Sequence, residues 1–453
     1  MEKFIKLIKD KLGDKVTLVF DKKYLSDYVG AIQGKADVLV KAETTDDVAA
    51  ALKLAYENDI NIVIRGAGTN LVASTVPEGG LVLDVSNLKE IGQIDEFNQS
   101  IEVGCGVKLC DLQNFVESKG WFYPPDPAEK EATIGGNIST NAGGMRAVKY
   151  GVTRDYVREL EFVTPQGKVL KLGADTIKDS SGLNLKHLVI GSEGTLGVVT
   201  KARLKLIPKP AYTQSALLAF TSLRKALDAL PTLFAMSLKP TAIEFVERKV
   251  IAIGENYLSK EFPCPEAEAY LIVTFDGCEQ DVLDAFNIAK NELKKLCLDF
   301  IALTDPKVSS NVWEIRAALA KAVQASGIWE PVDTVVPLSK VADFVDFVNK
   351  LSQKEGVRIL SFGHAGDGNV HLCIIKDEIP LEKWPLVLQH LLDEIYNNVY
   401  ELGGLTAAEH GIGKSKRRYF LNHTAPETIA LMRAVKAAFD PKGLLNPHDG
   451  YAI

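Results

Sequence analysis

The sequence lacks the features that announce several common classes of protein. Its 453 residues include six cysteines, Cys105, Cys110, Cys264, Cys278, Cys297 and Cys373, and no two form a Cys-x-x-Cys pair. Iron–sulfur clusters and zinc ribbons use that spacing, so neither is expected, and scattered reduced thiols fit a cytoplasmic chain. No stretch approaches the ~18 apolar residues of a membrane-spanning helix. Lysine and arginine number 52 against 59 aspartates and glutamates, for a net charge of −7, and no basic block with interleaved aromatics occurs. Nucleic acid is therefore not an expected partner. Residues Met1 to Leu12 alternate charged and apolar side chains, without the uninterrupted apolar region of a signal peptide. What is present is 46% hydrophobic residues in a chain long enough for roughly two to three domains.

Glycine is concentrated in a few tracts. Thr44 to Glu57 opens with capping residues and predicts a helix, and Asn61 to Ile64 predicts a short buried strand. That strand runs into Arg65-Gly66-Ala67-Gly68-Thr69-Asn70, where small side chains leave backbone N–H groups open to a phosphate. Alone, such a tract is a weak signal and is better read as a tight turn. Two more follow: Ala132 to Gly144, containing Thr133, Gly136, Asn137 and Gly143, and Gly191 to Gly197, containing Gly194. Placed at strand ends, the three predict backbone wrapped around a long anionic ligand. Gly104-Cys105-Gly106 is not a dinucleotide fingerprint, because Leu109 stands where its third glycine belongs.

The chemistry-bearing residues lie in the second half. Ser361 to Ile375 reads Ser-Phe-Gly-His-Ala-Gly-Asp-Gly-Asn-Val-His-Leu-Cys-Ile-Ile and predicts a hairpin turning at Asp367-Gly368. That register sets His364 opposite His371, with Cβ atoms about 5 Å apart, close enough to share one metal ion. Further on, Ala408-Glu409-His410-Gly411-Ile412-Gly413-Lys414 offers Glu409 as a third ligand, leaving positions open for substrate. His410, the adjacent residue, is expected to point elsewhere and is free to act as a base. The plain alternatives are structural histidines beside a turn and a surface Glu-His pair; both motifs together are harder to explain that way. Pro208-Lys209-Pro210 reads as a boundary. Beyond it, strands such as Ala269 to Phe275 alternate with helices such as Asp281 to Leu296, an α+β pattern.

Arg65 to Leu71, Asp126-Pro127, Thr133-Ile-Gly-Gly-Asn137, Gly194-Thr-Leu-Gly-Val198, the hairpin histidines and Glu409 to Gly413 together resemble one family. It is the vanillyl-alcohol-oxidase/p-cresol-methylhydroxylase (PCMH) superfamily of flavoproteins. Within it the chain is most similar to the branch that holds the flavoprotein of glycolate oxidase, D-lactate dehydrogenase and D-2-hydroxyglutarate dehydrogenase. The similarity runs from about Ala36 to Pro447. It implies an α+β two-domain flavoprotein: a PCMH-type FAD-binding domain at 1–210, an α+β cap over an antiparallel sheet at 211–413 carrying the metal site, and a segment at 414–453 returning to the FAD domain.

The resemblance implies FAD contacts from Arg65, Gly66, Ala67, Gly68, Thr69, Asn70, Asp126, Thr133, Gly136, Asn137, Gly143, Gly194 and Asn446. The FAD is expected to be noncovalent, since no histidine precedes His187. It implies one divalent ion (Fe²⁺, Zn²⁺ or Mn²⁺) on His364, His371 and Glu409, with His410 as base and Arg316, in Trp313-Glu-Ile-Arg316, holding the substrate carboxylate. The role of Asp333 is left open. Ala320, Pro331 and Cys373 stand where relatives acting on 2-hydroxyglutarate carry donors for a second carboxylate. A small D-2-hydroxy acid is therefore expected, D-lactate first and glycolate second, with 2-hydroxyglutarate as the alternative. Electrons are expected to leave to an electron-transferring flavoprotein, with or without bifurcation to NAD and ferredoxin, or to an iron–sulfur partner subunit. A homodimer is one assembly compatible with this. Competing readings are an electron-relay subunit, an alkylglycerone-phosphate-synthase-like transferase and a metal-dependent hydrolase.

Overall fold

Thr44 starts the helix Thr45–Glu57 with a reciprocal capping box: its hydroxyl accepts from Asp47 N while the Asp47 carboxylate accepts from Thr44 N. Two amides that a helix start leaves open are thereby satisfied. Val48, Ala51, Leu52 and Ala55 fall on one face and are buried with Phe4, Ile8 and Leu12 of the helix Glu2–Leu12. The computed structural model describes residues 1–19 and 21–452. It divides the chain into two compact units, the first comprising Met1–Gly143, Val152–Lys209 and Glu409–Ile453, the second Gly144–Gly151 and Pro210–Ala408.

In the first unit, the two helices cover a four-stranded sheet in the order Val16–Thr17, Val38–Lys41, Leu81–Asp84, Ile62–Arg65, the last three parallel. These strands are short apolar runs, as expected where both faces are covered. A second, antiparallel sheet runs Ile91–Asp95, Ser100–Gly104, Val198–Lys205, Val157–Val163, Val169–Gly173, and its Val163 and Val198 join the same core. The first glycine tract does follow a strand, Ile62–Arg65. The other two correct the expectation of strand ends. Ala132 to Gly144 contains a helix, Ile134–Thr140, because Thr133 caps it by accepting from Gly136 N at 3.3 Å. Gly191 follows the short helix Leu185–Val189.

The second unit is α+β. Its seven-stranded antiparallel sheet runs Asp299–Ala302, Tyr212–Phe220, Ala269–Gly277, Ala242–Glu247, Ile359–His364, Asn369–Ile375, Trp329–Val335. Helices Arg248–Leu258 and Pro306–Ala325 pack on one face through Val250, Ile251, Val312, Ile315 and Leu319. The helix expected at Asp281 to Leu296 spans Glu279–Leu293. Pro331 lies in the edge strand, where a missing N–H is tolerated. No described helix is long and apolar enough to cross a membrane.

Nothing in the composition marks Gly144–Gly151 as part of the second unit; one buried carboxylate does the binding. Asp276 accepts from Tyr150 Oη at 2.9 Å and Thr241 Oγ1 at 2.6 Å, and is ion-paired with Lys149, whose Nζ also donates to Asp276 O at 2.6 Å. Asp276→Ala should lower stability by about 2–3 kcal/mol, as removal of one partner from a mostly buried pair does. It should also speed proteolysis within 144–151; urea unfolding and timed digestion with mapped cuts measure both, and an unchanged cleavage rate would show that Asp276 does not anchor the segment.

Candidate active site

In the first unit the predicted cofactor residues gather from distant parts of the chain. Thr133 Oγ1 sits so close to Gly66 that any Cβ there would overlap it, so the first two glycine tracts abut. Gly194 faces Asn446, and Gly143 faces the Glu409 carboxylate at 3.3 Å from an ideal Cβ. Asn446 is a cross-brace: its Oδ1 accepts from Ile64 N at 2.9 Å and its Nδ2 donates to Glu193 O at 2.7 Å. Asn137 is buried and its Nδ2 has no partner. A buried donor left unpaired by the protein is what a site for an acceptor-rich cofactor requires, and with Thr133 and the glycines the residues fit FAD.

Other predicted contacts turn inward. The Arg65 guanidinium lies beneath its own loop, donating to Ser26 O at 2.9 Å and Thr75 Oγ1 at 3.2 Å, over the Tyr24 ring. Asn70 Oδ1 accepts from Ser74 N at 3.0 Å and its Nδ2 donates to Thr75 Oγ1 at 2.6 Å, closing the loop that Ala67, Gly68 and Thr69 begin. Asp126 is held by Lys130 and by Gln113 Nε2 at 3.3 Å.

Sequence reasoning missed Glu193. Its side chain accepts from Ile412 N at 2.9 Å, Gly413 N at 2.8 Å and Ser74 Oγ at 3.1 Å, tying the third glycine tract to the first and to the Glu-His-Gly-Ile-Gly motif. Its φ of 52° is in the left-handed region, a strained conformation for glutamate that the three bonds sustain. Burial pushes its carboxyl up, against the pull of those donors. Gly413 has no alternative, since a Cβ there would overlap Val72 O. The motif is a loop, so no strand alternation separates its side chains. Contrary to expectation, His410 turns toward Glu409, with Nε2 3.5 Å from Oε1.

In the second unit the hairpin has a different register from the one expected. Ala365–Gly368 forms a four-residue loop in which the Asp367 and Gly368 amides both donate to His364 O. His364 therefore pairs with Asn369 and Phe362 with His371, so the two histidines are diagonal neighbours on one face. Their rings cross at 89° and their Nε2 atoms come within 3.4 Å. Two nitrogens each about 2.1 Å from a tetrahedral ion stand about 3.4 Å apart, so the spacing suits a shared cation.

Each histidine has a carboxylate behind it. Glu244, unsuspected from sequence, is fully buried, with Oε1 2.6 Å from His364 Nδ1 and Oε2 accepting from Arg316 Nε at 3.1 Å and from Nη2. Burial raises the Glu244 carboxyl, but the charges of His364 and Arg316 outweigh it and bring it down to about 2. Arg316 is buried on Pro306–Ala325 and stacks over the Phe362 ring. Asp333 lies 3.6 Å from His371 Nδ1. It accepts from Asn369 Nδ2 at 2.7 Å and from the amide of Ala408, the residue before Glu409, at 3.0 Å.

Comparisons with known proteins bear on the cofactor and the fold. Residues 209–449 match the family "FAD linked oxidases, C-terminal domain", and residues 36–173 match "FAD binding domain". The chain is 39% identical to a D-lactate dehydrogenase of Anaerostipes hadrus, over 92% of this chain and 90% of that one. It is 36% identical to the glycolate oxidase protein GlcD of Bacillus subtilis, over 95% and 92%. Among solved structures, p-cresol methylhydroxylase with bound substrate superposes with a TM-score of 0.81 at 16% identity, covering 100% of this chain and 96% of that one, which speaks to the fold.

Replacing the unpaired Asn137 by leucine removes a donor that stabilises nothing in the protein itself. Asn137→Leu should leave the melting temperature of the FAD-free protein unchanged while weakening FAD binding at least tenfold in a fluorescence titration. Equal FAD affinity would remove Asn137 from the cofactor site.

Proposed function

The chain belongs to the FAD-linked oxidases, and from that premise we propose that it oxidises a small D-2-hydroxy acid, D-lactate first and glycolate second, to the 2-oxo acid. It is an FAD-linked oxidoreductase with D-lactate dehydrogenase and glycolate oxidase relatives. The observation that carries the finer reading is the pair of imidazole nitrogens at ligand spacing beside a buried arginine. When bound, FAD supplies the acceptor for the Cα hydride, and a divalent ion (Fe²⁺, Zn²⁺ or Mn²⁺) supplies Lewis-acid polarisation of the hydroxyl.

The chain's own residues divide the remaining work. His364, His371 and Glu409 would hold the ion, and His410 would take the hydroxyl proton, a task imidazole performs near neutral pH. Arg316 would receive the substrate C1 carboxylate; its ion pair with Glu244 already fixes the plane of the guanidinium. The face beyond His371 favours a small substrate: Cys373, Leu360 and Phe362 form part of an apolar cluster, where a second carboxylate would lie unpaired at a cost of several kcal/mol. For the FAD, Arg65, Gly66, Ala67, Gly68, Thr69, Asn70, Thr133, Gly136, Asn137, Gly143 and Gly194 are the proposed surroundings, with Asn446 bracing them. The Cys105 thiol is buried, which pushes its pKa up and keeps it protonated, in support of a noncovalent flavin. With no Cys-x-x-Cys in the chain, a separate carrier, an electron-transferring flavoprotein or an iron–sulfur protein, is the proposed outlet for the two electrons.

Anaerobic mixing with D-lactate should bleach the flavin band, glycolate should do so more slowly, and L-lactate and D-2-hydroxyglutarate should do so poorly or not at all. Prior chelation should slow the reaction at least a hundredfold, and divalent metal should restore it. Bleaching that ignores chelation would refute the metal, and bleaching by D-2-hydroxyglutarate alone would refute the substrate. His410→Asn should retain FAD and reduce the flavin at least a hundredfold more slowly; normal turnover would exclude it as the base.

A further inference from the structure

We propose that Glu244 and Asp333 are positioning residues for His364 and His371, and that the four side chains form one acid–histidine–histidine–acid row presenting paired Nε2 lone pairs to a divalent cation. The proposal deepens the metal reading above and rests on it. Across the adjacent strands Ala242–Glu247, Ile359–His364, Asn369–Ile375 and Trp329–Val335, Glu244 is the direct cross-strand partner of His364, and Asp333 is that of His371. Directly opposed residues share a face, so strand register alone sets each carboxylate beside its imidazole.

An ionised carboxylate can only accept a hydrogen bond, so Glu244 Oε1, 2.6 Å from His364 Nδ1, selects the tautomer with the proton on Nδ1. Asp333 Oδ1, 3.6 Å from His371 Nδ1, favours the same tautomer through charge at slightly longer range. With that tautomer on both rings, each Nε2 can donate an electron pair to a metal, and the two atoms lie 3.4 Å apart.

Neither acid is loose. Glu244 Oε2 accepts from Arg316 Nε at 3.1 Å, and Asp333 accepts from Asn369 Nδ2 at 2.7 Å and Ala408 N at 3.0 Å. Both are fully buried. Carboxylates behind ligating histidines orient the rings and strengthen Nε2 as a donor to metal, and losing one typically weakens metal binding 10- to 100-fold.

The test uses FAD-loaded protein stripped of metal by chelation, titrated with Mn²⁺ by EPR and with Zn²⁺ by calorimetry. Wild type should bind one ion and His371→Ala none. Glu244→Gln should raise the dissociation constant about 10- to 100-fold and change the EPR line shape of bound Mn²⁺, with circular dichroism and FAD content unchanged. A purely structural Glu244 would lower the melting temperature and leave the affinity of the folded protein alone. Asp333→Asn should weaken binding by a smaller factor, in keeping with its longer contact. It also decides the matter if Glu244→Gln fails to fold after loss of the counter-charge to Arg316. Unchanged affinity and line shape in the folded acid variants, with binding still abolished by His371→Ala, would overturn the row and leave the metal reading standing. A wild-type protein that binds neither ion would overturn both.

Discussion

The second unit is organised around a carboxylate with no exposed surface. Glu244 sits in the middle of a seven-stranded sheet, where an unpaired charge would be prohibitively costly. It survives as an anion because Arg316 on the helix above and His364 on the next strand both meet it, which holds its carboxyl at about 2. The dependence runs both ways. Arg316 is itself buried, so Pro306–Ala325 can dock through Val312, Ile315 and Leu319 only if that guanidinium finds its partner. Helix packing, strand pairing and the orientation of a proposed metal ligand therefore share one ion pair.

The first unit has a counterpart in Glu193, with a different logic. Here a strained backbone and a buried carboxyl are accepted in order to gather amides from the Glu-His-Gly-Ile-Gly motif and a hydroxyl from the first loop. Asn446 repeats the device with a neutral side chain, joining the strand Ile62–Arg65 to the carbonyl of Glu193 itself. Glycines in these tracts let chain segments approach closely, as Gly66 does against Thr133.

Much of this was legible in the residue order, for reasons that can be named. The helix Thr45–Glu57 was readable from its cap and its apolar spacing, and the α+β character of the second unit from alternating strands and charged helices; its antiparallel sheet was implied by the family resemblance alone. The hairpin was readable but its register was not, because a four-residue loop and a two-residue turn share the same Asp-Gly signal. The error was two residues in the pairing, which preserves the face, and so the histidines still met. Glu244 and Glu193 were invisible for a different reason. Glu244 is a single acid in an ordinary context and Glu193 one inside a glycine tract, each given meaning only by partners tens or hundreds of residues away. Asp333 stood out in the sequence without a role, and the role proposed for it rests on a register that only the assembled sheet reveals.

Charge within the second unit bears on the order of events at the proposed site. Glu244 and Asp333 are two carboxylates and Arg316 is one cation; once His364 has given up its second proton and both histidines stand as the proposed neutral tautomers, the row would carry one negative charge in excess. A 2-hydroxy acid arrives as an anion, and in a buried setting its carboxylate would meet net repulsion even with Arg316 at hand, because Glu244 already offsets much of the guanidinium charge. On the proposed reading, the acid is admitted only once a cation has neutralised the row. The residues that hold the ion are then also the residues that make the pocket receptive to its substrate.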